Sequence, residues 1–142
     1  MTSKPDGAPV AAGETAGERS GLARVSAYGL AVAVTEHAWD DASAMRKEPL
    51  LVEIAAQLLR SAGSIGANIA EGYSRRSARD RIRYYEYALG SAAETEAWYQ
   101  SARRALPAIF DERIARLTSV RRLLLTMIRN ERSGTGWNAG SR

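Results

Sequence analysis

The sequence predicts an all-α protein, an antiparallel up-and-down four-helix bundle, and three observations predict it. Apolar residues recur at alternating three- and four-residue steps through four segments, the signature of helices with one buried stripe. The connections between these segments are short, roughly four to six residues, which makes consecutive helices antiparallel neighbours. Alanine, leucine and arginine abound, proline occurs four times and phenylalanine once, and no strand-like alternation competes.

Residues 1–19 are rich in Ala, Gly, Pro, Thr and Glu without apolar periodicity and read as a disordered leader. The first helix is expected over roughly 21–44, capped by Ser20, with Leu22, Val25, Gly29, Val32, Glu36 and Trp39 along its stripe. The second is expected over roughly 49–71. Pro49 suits its first turn, and Leu51, Ile54, Leu58, Ala62, Ile65 and Ile69 face inward. Gly72 then fits the position just past the helix end, where a left-handed backbone favours glycine.

The third helix starts after Ser77, whose hydroxyl caps it with Asp80 three residues on, in a shortened capping box. Ile82, Tyr85, Leu89, Ala92, Glu96 and Tyr99 line one face to about residue 105, and Pro107 marks the break. The fourth begins near Asp111, a good cap, and carries Ile114, Leu117, Arg121, Leu124 and Ile128, with Val120 taking the inward place at the Arg121 step. The bundle thus occupies 20–132, and 133–142 form a flexible tail in which Trp137 is a weakly packed residue rather than a docking hook.

At 142 residues the chain holds one domain. It has no cysteine, so neither a disulfide framework nor a thiolate metal site is available. No apolar run approaches the roughly 18 residues of a membrane span, and no secretory signal opens the chain, so a cytoplasmic protein with no membrane partner is expected. Charge is uneven. Residues 1–71 carry six Lys/Arg and nine Asp/Glu, whereas 72–142 carry fourteen and seven. Only Lys4 and Lys47 are lysine, and arginine forks suit phosphates and carboxylates. Such a half expects a polyanion or an acidic protein partner, and the acidic half of the same chain is an alternative partner.

The run Ser61 to Gly72 is nearly smooth: Ala62, Gly63, Ser64, Gly66 and Ala67 present almost no side chain. Two glycines inside a helix each cost about 1 kcal/mol against alanine, so they imply close packing, inside the bundle or against another subunit. A phosphate cradle would need free amides, which a helix interior lacks. Asn68, Glu71, Glu94 and Glu96 read as a polar network that fixes helix register, with arginine or Asn68 as partner. A ligand pocket and an acid–base carboxylate pair are the alternatives, the latter needing a cleft that a plain bundle does not offer.

Arg75, Arg76, Arg79, Arg81 and Arg83 form the densest charge cluster, with Tyr73, Tyr84, Tyr85 and Tyr87 interleaved. Basic groups beside aromatics suit single-stranded nucleic acid, where phosphates are neutralised and bases stack. The competing reading is a solvated helix end with salt bridges to Glu71, Asp80 and Glu86. A second strip, Arg113, Arg116, Arg121, Arg122, Arg129 and Arg132, adds to the first only if both share a face. His37 is the sole histidine, and with Glu36, Asp40 and Asp41 it lacks the second strong ligand a metal site needs. No nucleophile elbow or phosphate loop occurs. No catalytic residue, metal or cofactor is expected, and the chain does not read as an enzyme.

Ser64-Ile65, Asn68-Ile69-Ala70-Glu71-Gly72, Arg75-Arg76-Ser77 and Gly90-Ser91 with Glu94 and Glu96 closely resemble the motifs of a bacterial family of four-helix-bundle proteins. That family was first noticed in reading frames within 23S ribosomal RNA intervening sequences. The resemblance spans roughly residues 22–131. The chain departs from the pattern in its Ala/Val-rich first helix and at Ser43 to Glu48, where the family has a Phe-Pro-like stretch. The resemblance implies a left-handed bundle assembling as a homopentamer. It is similar in this to the accessory proteins of diversity-generating retroelements, whose basic exterior engages RNA and a reverse transcriptase.

The expected function is therefore a non-enzymatic homo-oligomer that binds nucleic acid, structured RNA foremost and DNA as the other candidate, through Arg75, Arg76, Arg79, Arg83, Arg121 and Arg122. Gly63, Ser64, Gly66, Asn68, Glu71, Gly72, Glu94 and Glu96 serve structure or interface. The alternative is an oligomeric scaffold that binds a protein such as a reverse transcriptase without touching nucleic acid.

Overall fold

A computed structural model describes residues 16–135, which form four long helices and no strand. They are α1 (Ala16–Met45), α2 (Val52–Ser74), α3 (Ala78–Ala102) and α4 (Phe110–Arg132), with single 3-10 turns at Pro49–Leu51 and Arg103–Ala105. Each helix packs along the next, and α4 closes the ring against α1. Short connections and matched lengths make this the expected up-and-down bundle.

The stripes of α2 and α4 fall where periodicity places them. Leu58, Ala62, Ile65 and Ile69 are buried on α2, and Leu117, Leu124 and Ile128 on α4, where Val120 points inward and Arg121 outward. On α3 the buried line is Arg81, Tyr85, Ala88, Ala92, Thr95, Tyr99 and Ala102, so Ile82, Leu89 and Glu96 flank the core instead of filling it.

Helix α1 departs most from expectation. Its inward line is Ala27, Ala31, Val34, Ala38, Asp41, Ala42 and Met45, whereas Val32, Glu36 and Trp39 are exposed. Both lines obey helical spacing, and ranking by side-chain size selects the outer one. Alanines win the inside because they let α1 lie close to its neighbours, as shown by Thr35 Oγ1, which donates across to the carbonyl of Ala62 at 3.2 Å.

Four further local expectations are corrected. Helix α1 begins at Ala16, so Ser20 lies within the helix rather than capping it. Of the expected leader, 16–19 are helical and 1–15 lie outside the described residues, as do 136–142 with Trp137. The N-cap of α4 is Ile109, and Asp111 stands in the first turn beside Glu112, where its charge favours the helix dipole. Gly72 is not a left-handed terminus, because α2 continues to Ser74 and Gly134 is the one glycine with positive φ among the described residues. What Gly72 supplies is space, since a Cβ there would lie 2.8 Å from Cε1 of the fully buried Tyr85.

The stretch Pro49–Ser74 is long and apolar enough to span a membrane by length and composition alone, contrary to the run-length reading. Of its large apolar side chains, Leu58, Ile65 and Ile69 are buried in the bundle core, whereas Leu50 and Val52 are exposed.

Two buried ionic clusters lock opposite ends of the bundle. At one, Asp41 on α1 accepts from Tyr99 Oη at 2.7 Å and from Arg113 Nε and Nη2 at 2.7 and 3.1 Å. Burial first, then the bond to Asp41, pushes the Tyr99 phenol well above its ordinary range. At the other, Arg81 on α3 meets Glu131 on α4.

Candidate nucleic-acid interface

The corner between α2 and α3 is built from the sequence outward. Ser77 caps α3 by accepting the Asp80 N–H at 3.1 Å, which fixes where the helix starts. Arg81 then turns inward and donates Nη1 to the carbonyls of Arg75 and Arg76 at 3.1 and 2.7 Å and Nη2 to Glu131 at 2.8 Å. One buried guanidinium thereby ties the basic turn to the end of α4. Arg81 is a brace, not a surface charge.

Above this brace the remaining arginines divide. Arg75 pairs with Glu71, donates to Tyr84 Oη at 3.1 Å and lies 4.9 Å from that ring's centroid. Desolvation works against its charge, but Tyr84 and Glu71 together hold its pKa above the ordinary value. Arg83 donates Nε to Tyr87 Oη at 2.7 Å with its guanidinium 5.6 Å from the ring centroid. That hydrogen bond, foremost, raises its pKa. Arg76 and Arg79 are exposed and form no salt bridge among the described residues. Arg79, Arg83 and Glu86 border one open depression, and Arg132 reaches its rim by donating to Glu86 at 3.0 Å.

The second arginine strip does not act as a unit. Arg113 is consumed by Asp41 and Glu112, Arg116 by Glu112, and Arg121 by Glu96 at 3.1 Å. Arg122 and Arg129 are exposed and make no salt bridge among the described residues. Arg132 alone links this strip to the α2–α3 corner.

Of the polar residues expected to fix register, the three carboxylates find arginine partners and Asn68 joins none of them. Glu94 takes Arg60 from α2 and accepts Trp98 Nε1 at 3.4 Å, while Glu96 takes Arg121 from α4. Asn68 donates to its own helix at the Ser64 carbonyl, 2.9 Å away. Glu71 is exposed with Arg75.

A second surface was hidden from the periodicity argument. Tyr28, Val32 and Trp39, exposed by 47, 39 and 61%, form one wall of a groove along α1, and Gly63, Gly66 and Ala67 of α2 form its smooth floor. Glu36 and Asp40 stand at its edge. A Cβ on Gly63 would meet nothing within 4 Å, so this glycine is not required by packing inside the subunit. The signal that could have found the groove was α1 itself, apolar on two faces where one suffices for a core.

Comparison with known proteins agrees with this architecture. Residues 24–128 match the model of the 23S rRNA-intervening sequence protein family, and the chain belongs to that family. A crystal structure of a protein of unknown function from the S23 ribosomal protein family of Bacteroides thetaiotaomicron is similar, with 25% sequence identity and a TM-score of 0.67. The match covers 72% of this chain and 98% of that one. No curated protein matches.

Proposed function

We propose that this family member is a non-enzymatic, self-associating bundle that binds RNA at the α2–α3 corner through Arg76, Arg79 and Arg83. One observation carries the reading. Seven arginines are held by carboxylates, whereas Arg76, Arg79 and Arg83 stand together at one corner, exposed and without a salt bridge among the described residues. Arg75 and Arg121 fall back to supporting roles because Glu71 and Glu96 already hold them.

Three phosphate contacts give a log–log salt slope of about −2 for a single strand. The variant R76E/R79E/R83E is expected to lose RNA retention in a filter-binding assay while keeping its helical circular-dichroism signal. Unchanged retention would refute the assignment.

Self-association is supported by the groove between α1 and α2. An exposed tryptophan, tyrosine and valine beside a glycine floor form the kind of apolar patch that marks protein contact. Its acidic edge, Glu36 and Asp40, complements the unpaired Arg122 and Arg129 of another copy. The same groove favours the second reading, a scaffold for a protein partner. Light scattering separates the two: both are multimers without RNA, and only the first gains mass when RNA is added.

A further inference from the structure

We propose that the RNA held at this corner is unpaired, with a base stacked on Tyr87 while Arg76 and Arg79 take flanking phosphates; this rests on the RNA-binding reading above. The argument begins with the tyrosines. Tyr85 is fully buried, whereas Tyr87 is 45% exposed although it sits only two residues further along the same helix. Helical geometry alone puts the two on different faces. It does not explain why the outer position carries an aromatic ring amid arginines.

The ring is held ready. Tyr84 and Tyr87 meet edge to face, with centroids 5.6 Å apart and planes at 89°. Each ring also carries a guanidinium, Arg75 on Tyr84 at 4.9 Å and Arg83 on Tyr87 at 5.6 Å. Arg83 Nε further pins the Tyr87 oxygen. A side chain already fixed by two neighbours loses little freedom when a ligand stacks on it, so binding keeps most of the stacking gain. Both Nη groups of Arg83 have no hydrogen bond among the described residues and remain available to a phosphate or a base edge.

The geometry favours a single strand over a duplex. Arg79, Arg83 and Tyr87 follow one another at four-residue steps, about 6 Å each along α3, so two charges and a ring line up along one exposed helix face. Bases in an A-form duplex are stacked on each other, and the deep, narrow major groove excludes such a face. A duplex could use the arginines but not Tyr87. An unpaired strand uses both. Asp80 and Glu86 flank the same depression, and Arg132 neutralises Glu86.

The test uses fluorescence anisotropy with the full chain. The probes are a labelled single-stranded RNA 12-mer containing one 2-aminopurine and the same strand annealed to its complement. The unmodified chain is expected to bind the single strand at least about tenfold tighter and to quench the 2-aminopurine. Tyr87→Leu, at an exposed position, should weaken single-strand binding by about 5- to 150-fold, abolish the quench and leave the salt slope unchanged. Tyr87→Phe should restore most of the affinity. R76E/R79E should lower the salt slope by about 1 to 2. If Y87L binds like the unmodified chain, or the duplex binds as tightly as the strand, the stacking site is refuted while electrostatic RNA binding stands. If neither RNA binds at physiological salt, both readings fail together.

Discussion

The buried Arg81–Glu131 pair makes the sharpest stability prediction. Arg81→Met keeps much of the side-chain volume and removes the charge. The side chains of Arg81 and Glu131 are 5 and 3% exposed, and 2.8 Å separates Nη2 from Oε2. The substitution therefore strands a carboxylate in the interior and strips a donor from the carbonyls of Arg75 and Arg76. Breaking one half of a buried pair costs about 3–5 kcal/mol. Against a total of about 5–15 kcal/mol for a domain, that is a large share. With a urea slope of about 1–3 kcal/mol/M, the midpoint should fall by about 2 M. The double variant R81M/E131L removes both charges and should recover most of the loss, because no charge is then left without a partner in the interior. Urea denaturation followed by circular dichroism at fixed protein concentration measures all three chains. A single variant within about 1 kcal/mol of the parent, or a double no better than the single, would show that the pair is not the brace described.

Gly72→Ala and Gly63→Ala are the same change on the same helix with opposite expected signs. The first places a Cβ 2.8 Å from buried Tyr85 and should cost about 1–3 kcal/mol, whereas the second meets nothing of its own subunit within 4 Å and, measured at a concentration where the chain is monomeric, should gain up to about 1 kcal/mol in helix propensity. Equal shifts in the two urea midpoints would contradict the packing. Trp39→Glu should reduce the assembled mass in light scattering with little change in helical signal, because Trp39 is 61% exposed; an unaltered mass would remove the groove as the self-association surface. The Tyr99 phenol has a raised folded pKa, so its contribution is complete below the unfolded value of about 10 and is lost as pH rises above it, by up to about 1.4 kcal/mol per pH unit. Tyr99→Phe should flatten that alkaline decline in denaturation series from pH 9 to 11, and parallel curves would count against the assignment.

How far the sequence was legible differs by helix. On α2 and α4 the large aliphatic residues are also the buried ones, so period and hydrophobicity point the same way. On α1 they point apart. Alanine at 27, 31, 38 and 42 occupies the core because thin helices pack closely, and the larger Tyr28, Val32 and Trp39 are left outside. A scale that ranks by apolar area selects the wrong face. The arginine cluster was legible as a cluster but not as a division of labour. Arg81 lies only two residues from Arg79 and from Arg83, and only the fold reveals that its partner, Glu131, stands fifty positions away on α4. The pairing of Asp41 with Tyr99 and Arg113 is hidden for the same reason.

The Asn-Ile-Ala-Glu-Gly stretch ties these pieces into one arrangement. Ile69 enters the core, Gly72 opens the slot that Tyr85 fills, and Glu71 holds Arg75 against Tyr84. Tyr84 in turn abuts Tyr87. A residue chosen for space on α2 thus sets how α3 leaves the turn, and α3 sets where Arg79, Arg83 and Tyr87 face. The motif binds nothing by this account. It fixes the corner proposed to bind RNA, so on that proposal a larger residue at Gly72 should disturb RNA binding as well as stability even though Gly72 itself is buried. A Gly72→Ala protein that is destabilised yet binds the single-stranded 12-mer with unchanged affinity, at a temperature where it is fully folded, would break that chain between motif and surface.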